Sequence, residues 1–190
     1  VYKNGGIHPN TFDADVSNWD VSNINDMQGL FFNTNFTNEG SPNISGWDVS
    51  SVTGMYGMFG QQYAIHIYQQ KPNGGFNQPI GSWDVSNVID MGYMFYLNQF
   101  FDQDLSDWDV SSITSMEGTF GGHYQAPNAY NPRGYKVHFN NGGQTGIGAW
   151  DVSNVTNMNS MFVANTGFNQ PIAGWDVGNV TDMNYLFAFN

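Results

Sequence analysis

The word Trp-Asp-Val-Ser recurs along this chain at 19–22, 47–50, 83–86, 108–111 and 150–153, and returns as Trp-Asp-Val-Gly at 175–178. All six tryptophans are spent on it. A Met stands eight residues after each Trp (Met27, Met55, Met91, Met116, Met158, Met183), and a Phe stands twelve after it (Phe31, Phe59, Phe95, Phe120, Phe162, Phe187). Large apolar residues at constant offsets are the mark of a repeat protein. A single short unit cannot bury its own indole, thioether and phenyl groups, whereas a stack of such units can. The expected fold is therefore one repeat solenoid over 1–190, six coils of about 25 residues, with 1–11 as a lead-in.

The period is 25 residues from Trp83 to Trp108 and from Trp150 to Trp175. The stretch from each Trp to the Phe at +12 never changes length. All variation falls between that Phe and the next Trp, chiefly in insertions 60–75 and 121–138. Insertions confined to one phase of a repeat map to one edge of a solenoid. These two leave two coils apart, so their bases are expected on one edge about 10 Å from each other.

Within a coil, Phe-Asn-Gln-Pro-Ile (76–80, 168–172) alternates apolar and polar residues as a short strand would. Trp-Asp-Val-Ser-Asn-Val reads as a second extended stretch broken by a turn. Met-x-x-Met-Phe, as at 91–95, reads as one helical or 3-10 turn with both sulfurs inward. The solenoid is thus expected to be β-rich, with one short helical or 3-10 turn per coil.

Charge narrows the function classes. Net charge is −12, with 16 acidic residues against 4 Lys+Arg. Such a field repels nucleic acid and anionic membrane surfaces. Asp far outnumbers Glu, and Asp favours turns through local side-chain to backbone bonds. With no Cys there is neither a disulfide framework nor a thiolate metal site. No apolar run approaches the length of a membrane span, and no signal peptide is apparent. Because the chain starts at Val1, it is expected to be a mature, cleaved or partial one.

The acidic column Asp20, Asp48, Asp84, Asp109, Asp151 and Asp176 has two readings. Each carboxylate could accept the backbone N–H two residues on, as in an Asx turn, or Ca²⁺ could lie between coils. The turn is favoured, because an Asp-x-Asp-x-Asp loop with a closing Glu is absent; no metal or other cofactor is expected. The Asn/Ser column (Asn23, Ser51, Asn87, Ser112, Asn154, Asn179) is expected to bond backbone groups at a corner. Asn35, Asn43, Asn154 and Asn179 open glycosylation sequons, with Asn35 and Asn43 the better glycan candidates.

The insertions differ from the frame in composition. Tyr63, His66, Tyr68 and Lys71 lie in the first, and His123, Tyr124, Tyr130, Arg133, Tyr135, Lys136 and His138 in the second. Tyr with a few cations on an acidic body makes a candidate recognition patch. A His66/His123/His138 metal site is the weaker reading, since loop histidines are more often solvated. No nucleophile elbow, P-loop or Rossmann glycine pattern occurs, so an enzyme is not expected.

The words 76–80, 83–88 and 91–95, with a closer copy over 168–187, resemble the BspA-type leucine-rich-repeat surface proteins, in particular the subgroup with 25-to-26-residue repeats found in mycoplasma-type surface lipoproteins. That resemblance implies a leucine-rich-repeat-like solenoid, a secreted or cell-surface location, and adhesion or protein binding without catalytic residues. The expected function is an extracellular module that binds a protein or glycan through its edge insertions. The alternative is a structural subunit of a fibre, coat or surface assembly, stacked through solenoid ends or sides. No nucleic-acid partner and no membrane insertion are expected.

Overall fold

The computed structural model describes residues 14–34, 36–37, 43–61, 75–123 and 136–190. The lead-in 1–11 and most of both insertions lie outside them. Repeats are numbered 1 to 6 here by their tryptophans, Trp19 to Trp175.

Consecutive repeats lie on one another in chain order. Parallel bridges join the residue at Trp+7 of each repeat to its counterpart in the next: Asp26 to Gly54, Gly54 to Asp90, Asp90 to Ser115, Ser115 to Asn157, and Asn157 to Asp182. Beyond each bridge the N–H groups at +8, +10, +12 and +14 donate to carbonyls of the following repeat. Met91 bonds Ser115 O at 3.2 Å, Tyr93 bonds Glu117 O at 2.6 Å, Phe95 bonds Thr119 O at 3.0 Å and Leu97 bonds Gly121 O at 2.8 Å. Alternate N–H groups facing one neighbour are the pattern of a parallel ladder.

Between these cross-bonds the chain turns. Met94 N–H donates to Met91 O at 3.2 Å, and equivalent three-residue closures follow Met27, Met55, Met116, Met158 and Met183. The third residue of each turn has positive φ: Gly29, Gly57, Tyr93, Gly118, Ser160 and Tyr185. That is the type II β-turn arrangement, not the helical turn expected from Met-x-x-Met-Phe. The reason is tertiary. A helical turn points every N–H along its own axis, whereas this turn frees alternate N–H groups for the next repeat. The 3-10 segments sit elsewhere, just before tryptophan (Ile44–Gly46, Gly146–Ala149, Ile172–Gly174) and at Asn141–Gly143.

Phe-Asn-Gln-Pro-Ile reads as a strand in the sequence, but among the described residues no backbone bridge falls on 76–80 or 168–172. Side chains do the joining there. Gln78 accepts Ile44 N–H at 2.9 Å and donates to Thr37 O at 2.7 Å. Gln103 donates to Asn77 O at 3.1 Å, and Gln170 to Asn140 O at 3.0 Å. Pro79 and Pro171 bring no N–H to a ladder, and the neighbouring amides supply donors instead.

The core is a set of stacked columns. Trp47, Trp83, Trp108 and Trp150 are buried. The Trp19–Trp47, Trp47–Trp83 and Trp150–Trp175 ring centroids are 6.4, 6.3 and 6.5 Å apart with nearly parallel planes. Each buried indole N–H reaches the carbonyl three residues before the preceding tryptophan: Trp83 to Ile44 O at 3.0 Å, Trp108 to Ile80 O at 3.0 Å, Trp150 to Leu105 O at 3.2 Å. That same carbonyl also accepts the backbone N–H of its own repeat's Trp, as Ile80 O does from Trp83 at 3.0 Å. One acceptor therefore closes a turn and ties down the next repeat, and no indole donor is buried unmet.

Candidate interaction surface

The Asp column lies along one exposed corner. Asp20, Asp48 and Asp84 each accept the N–H of the serine two residues on at 3.1 Å, and Asp109, Asp151 and Asp176 accept Ser111, Ser153 and Gly178 at 3.0 Å. The hydroxyls of Ser22, Ser50 and Ser86 donate to the same oxygens at 2.7, 2.6 and 2.6 Å. These are Asx turns reinforced by hydroxyls. The serine hydroxyl and then its backbone N–H hold Asp20, Asp48, Asp109 and Asp151 below the usual aspartate range. Asn87, Asn154 and Asn179 donate through Nδ2 to Ser50 O, Ser111 O and Ser153 O of the preceding repeat at 2.8, 2.8 and 2.7 Å. In Asn154 and Asn179 the amide that glycosylation would modify is thus spent on the frame.

A second carboxylate column at Trp+7 was not singled out in the sequence. Asp26, Asp90 and Asp182 accept the N–H groups of Gln28, Gly92 and Asn184 at 2.9, 2.8 and 2.9 Å. Gly54, Ser115 and Asn157 occupy the intervening places, so no two carboxylates of this column are adjacent. Neighbouring like charges would cost on the order of 1 kcal/mol even in a water-like medium. The spacing of the acids down this column was present in the sequence as a signal.

The insertions meet the frame at the phenylalanine columns. Phe59 and Phe76, separated by the first insertion, have ring centroids 3.7 Å apart. Phe120 and Phe139, separated by the second, stand at 4.0 Å. Uninterrupted Phe95–Phe101 and Phe162–Phe168 both stand at 3.8 Å. Each insertion therefore leaves the frame and returns to the place a short connection reaches. Gln61 N–H bonds Tyr96 O at 2.8 Å at the exit of the first. Val137 pairs with Asn165 at the return of the second.

Of the insertion candidates, Tyr63, His66, Tyr68, Lys71, Tyr124, Tyr130, Arg133 and Tyr135 lie outside the described residues, as does Asn35. His123 and Lys136 are half-buried at the root of the second insertion. His138 is exposed, its Nδ1 3.0 Å from the Thr166 hydroxyl. Asn43 is exposed, and its Oδ1 accepts Ser45 N–H at 3.1 Å as the N-cap of Ile44–Gly46. Among the described residues no group of three or more His, Asp or Glu is placed to hold a metal ion. No helix among them is long and apolar enough to cross a membrane.

The turn edge carries an aromatic cluster that the sequence reading passed over. Phe32, Tyr56 and Tyr93 each lean onto a glycine of the following repeat. A Cβ added at Gly57 would lie 3.6 Å from the Phe32 ring, one at Gly92 3.1 Å from Tyr56, and one at Gly118 2.7 Å from Tyr93. The Tyr56 and Tyr93 rings are 5.4 Å apart, and Tyr96 meets Tyr93 edge-on at 5.2 Å. Tyr93 donates its hydroxyl to Glu117 Oε1 at 2.6 Å, and Glu117 Oε2 accepts Asn157 Nδ2 at 3.0 Å. Burial first, then this bond and the Glu117 charge, raise the Tyr93 phenol far above its ordinary value.

The family model described as "Mycoplasma protein of unknown function, DUF285" matches residues 6–131 and 136–190. No curated protein and no solved structure matches the chain.

Proposed function

The chain belongs to this family of mycoplasma proteins, and from that premise we propose that it is a non-enzymatic, extracellular or cell-surface repeat solenoid of the BspA-type leucine-rich-repeat kind, binding a protein or glycan through the edge that carries its insertions. One observation carries the reading: the Phe59–Phe76 and Phe120–Phe139 stacks close beneath the insertions at 3.7 and 4.0 Å, as the short connections do at 3.8 Å. A frame that closes under an insertion does not need the insertion to complete its phenylalanine column, and such loops on a rigid scaffold commonly carry recognition. The tyrosines, histidines and cations of 60–75 and 121–138 suit that use. The test compares the chain with a variant lacking 61–74 on a glycan array and a panel of extracellular-matrix proteins. Loss of a partner on deletion supports the reading; every interaction surviving intact overturns it.

A further inference from the structure

We propose that the turn edge of repeats 1 to 4 is a second interaction surface, an aromatic platform rimmed by carboxylates that takes an arginine-bearing segment of a partner protein. It does not depend on the insertion-edge reading, although the Phe32 ring borders the root of the first insertion, 3.4 Å from where a Cβ on Gly60 would stand.

The first support is the bed on which the rings lie. Tyr56 and Tyr93 are each backed by a glycine of the next repeat whose missing Cβ lets the ring lie close, and Phe32 lies 3.6 Å from where a Cβ on Gly57 would stand. Phe32 and Tyr56 nevertheless remain 41 and 39% exposed. Exposed rings supported by backbone present their faces to a partner with little side-chain freedom left to lose on binding.

Tyr93 is fixed most firmly. It holds a φ of 56°, in the left-handed region that disfavours a bulky side chain, and its hydroxyl is tied to Glu117. Such conformations persist only where surrounding structure over-determines them.

The third support is charge. Asp90 Oδ1 and the Tyr56 ring both lie 3.1 Å from where a Cβ on Gly92 would stand, and Glu117 Oε1 accepts the Tyr93 hydroxyl at 2.6 Å, so both carboxylates stand beside the platform. Lys136 is the one Lys or Arg among the described residues, and it lies at the root of the second insertion. Tyrosine faces attract cations, and a guanidinium can stack on a ring while pairing with a carboxylate. The chain's net charge of −12 steers a basic segment toward such a face. A neutral glycan could use the rings but would leave the carboxylates without a counter-charge.

The probe is a fluorescein-labelled alternating arginine–glycine dodecapeptide, followed by anisotropy in about 0.15 M salt, where long-range attraction is screened. An alternating glutamine–glycine peptide and cellohexaose complete the panel. Tyr56→Ala and Glu117→Gln are each expected to weaken the arginine peptide by about tenfold, in the range of a partly desolvated cation–π contact. Asp109→Asn removes the same charge from the Trp+1 column and should change binding less than about twofold. Tyr56→Leu keeps apolar volume over Gly92 but loses the π face, so it should fail as Tyr56→Ala does. Native near-UV circular dichroism is required of each variant. Equal losses from Asp109→Asn and Glu117→Gln would mean undirected charge attraction and overturn the proposal. So would full binding by Tyr56→Leu, absence of peptide binding, or Tyr56-dependent capture of cellohexaose in place of the peptide.

Discussion

The ring of Tyr93 lies across Gly118 of the next repeat so closely that a Cβ there would stand 2.7 Å from it. Gly118 also has a φ of 59°, as the third residue of its own turn. Gly118→Ala should therefore cost about 1–3 kcal/mol, combining left-handed strain with displacement of a ring anchored to Glu117. Equilibrium denaturation checks this. A loss below about 0.5 kcal/mol would mean that Tyr93 moves aside freely.

Trp108 is buried, and its indole N–H bonds Ile80 O at 3.0 Å. Trp108→Phe should destabilise the chain by about 2–4 kcal/mol, from lost apolar volume plus a lost buried donor. Trp19, which is half exposed and makes no such bond, should tolerate the same change at under about 1 kcal/mol. Comparing the two denaturation midpoints tests whether indoles act through burial between repeats.

Replacing 61–74 by a short connection should leave the frame intact, because Phe59 and Phe76 already stand 3.7 Å apart. Shortening a loop changes closure entropy only slowly, so the shift should stay within about 1 kcal/mol. The readout is the thermal midpoint alongside tryptophan fluorescence. A collapse of cooperativity would show that the insertion packs as part of the core.

Acid should weaken the fold. The carboxyls of Asp20, Asp48, Asp109, Asp151 and Asp182 titrate below their ordinary range in the folded chain, through hydrogen bonds that the ionised form accepts. Their stabilising contribution is fully present above the unfolded value of about 3.9 and is lost as pH falls through the depressed folded values. Melting temperature measured from pH 6 downward should hold steady and then decline below about pH 4. The combined variant Ser22→Ala and Ser50→Ala should flatten that decline, since it removes hydroxyls bonded to Asp20 and Asp48.

Much of the frame was legible because it depends on like residues meeting like residues. Met91, Phe95 and Val88 are buried where constant spacing put them. The Asx turns were legible too, since Asp followed two residues later by Ser is a local pattern. Two signals stood in the sequence unread: no two acids are consecutive down the Trp+7 column, and aromatics are followed one repeat later by glycine, as Tyr56 by Gly92 and Tyr93 by Gly118. Both appear only when residues are compared down a column and not along the chain.

By itself the sequence determined which residues form the columns, where length can vary, and which carboxylates cap their own turns. These follow from spacing and from contacts two residues apart, neither of which needs a neighbour in space. Only the tertiary structure decided the turn at Met-x-x-Met, the amide bonding at Phe-Asn-Gln, and the platform of Tyr56 and Tyr93. In each case the deciding partner belongs to the adjacent repeat, as Ser115 does for Met91, Thr37 for Gln78 and Glu117 for Tyr93. Local propensity has no access to such a partner. It exists only once a second repeat has been laid against the first.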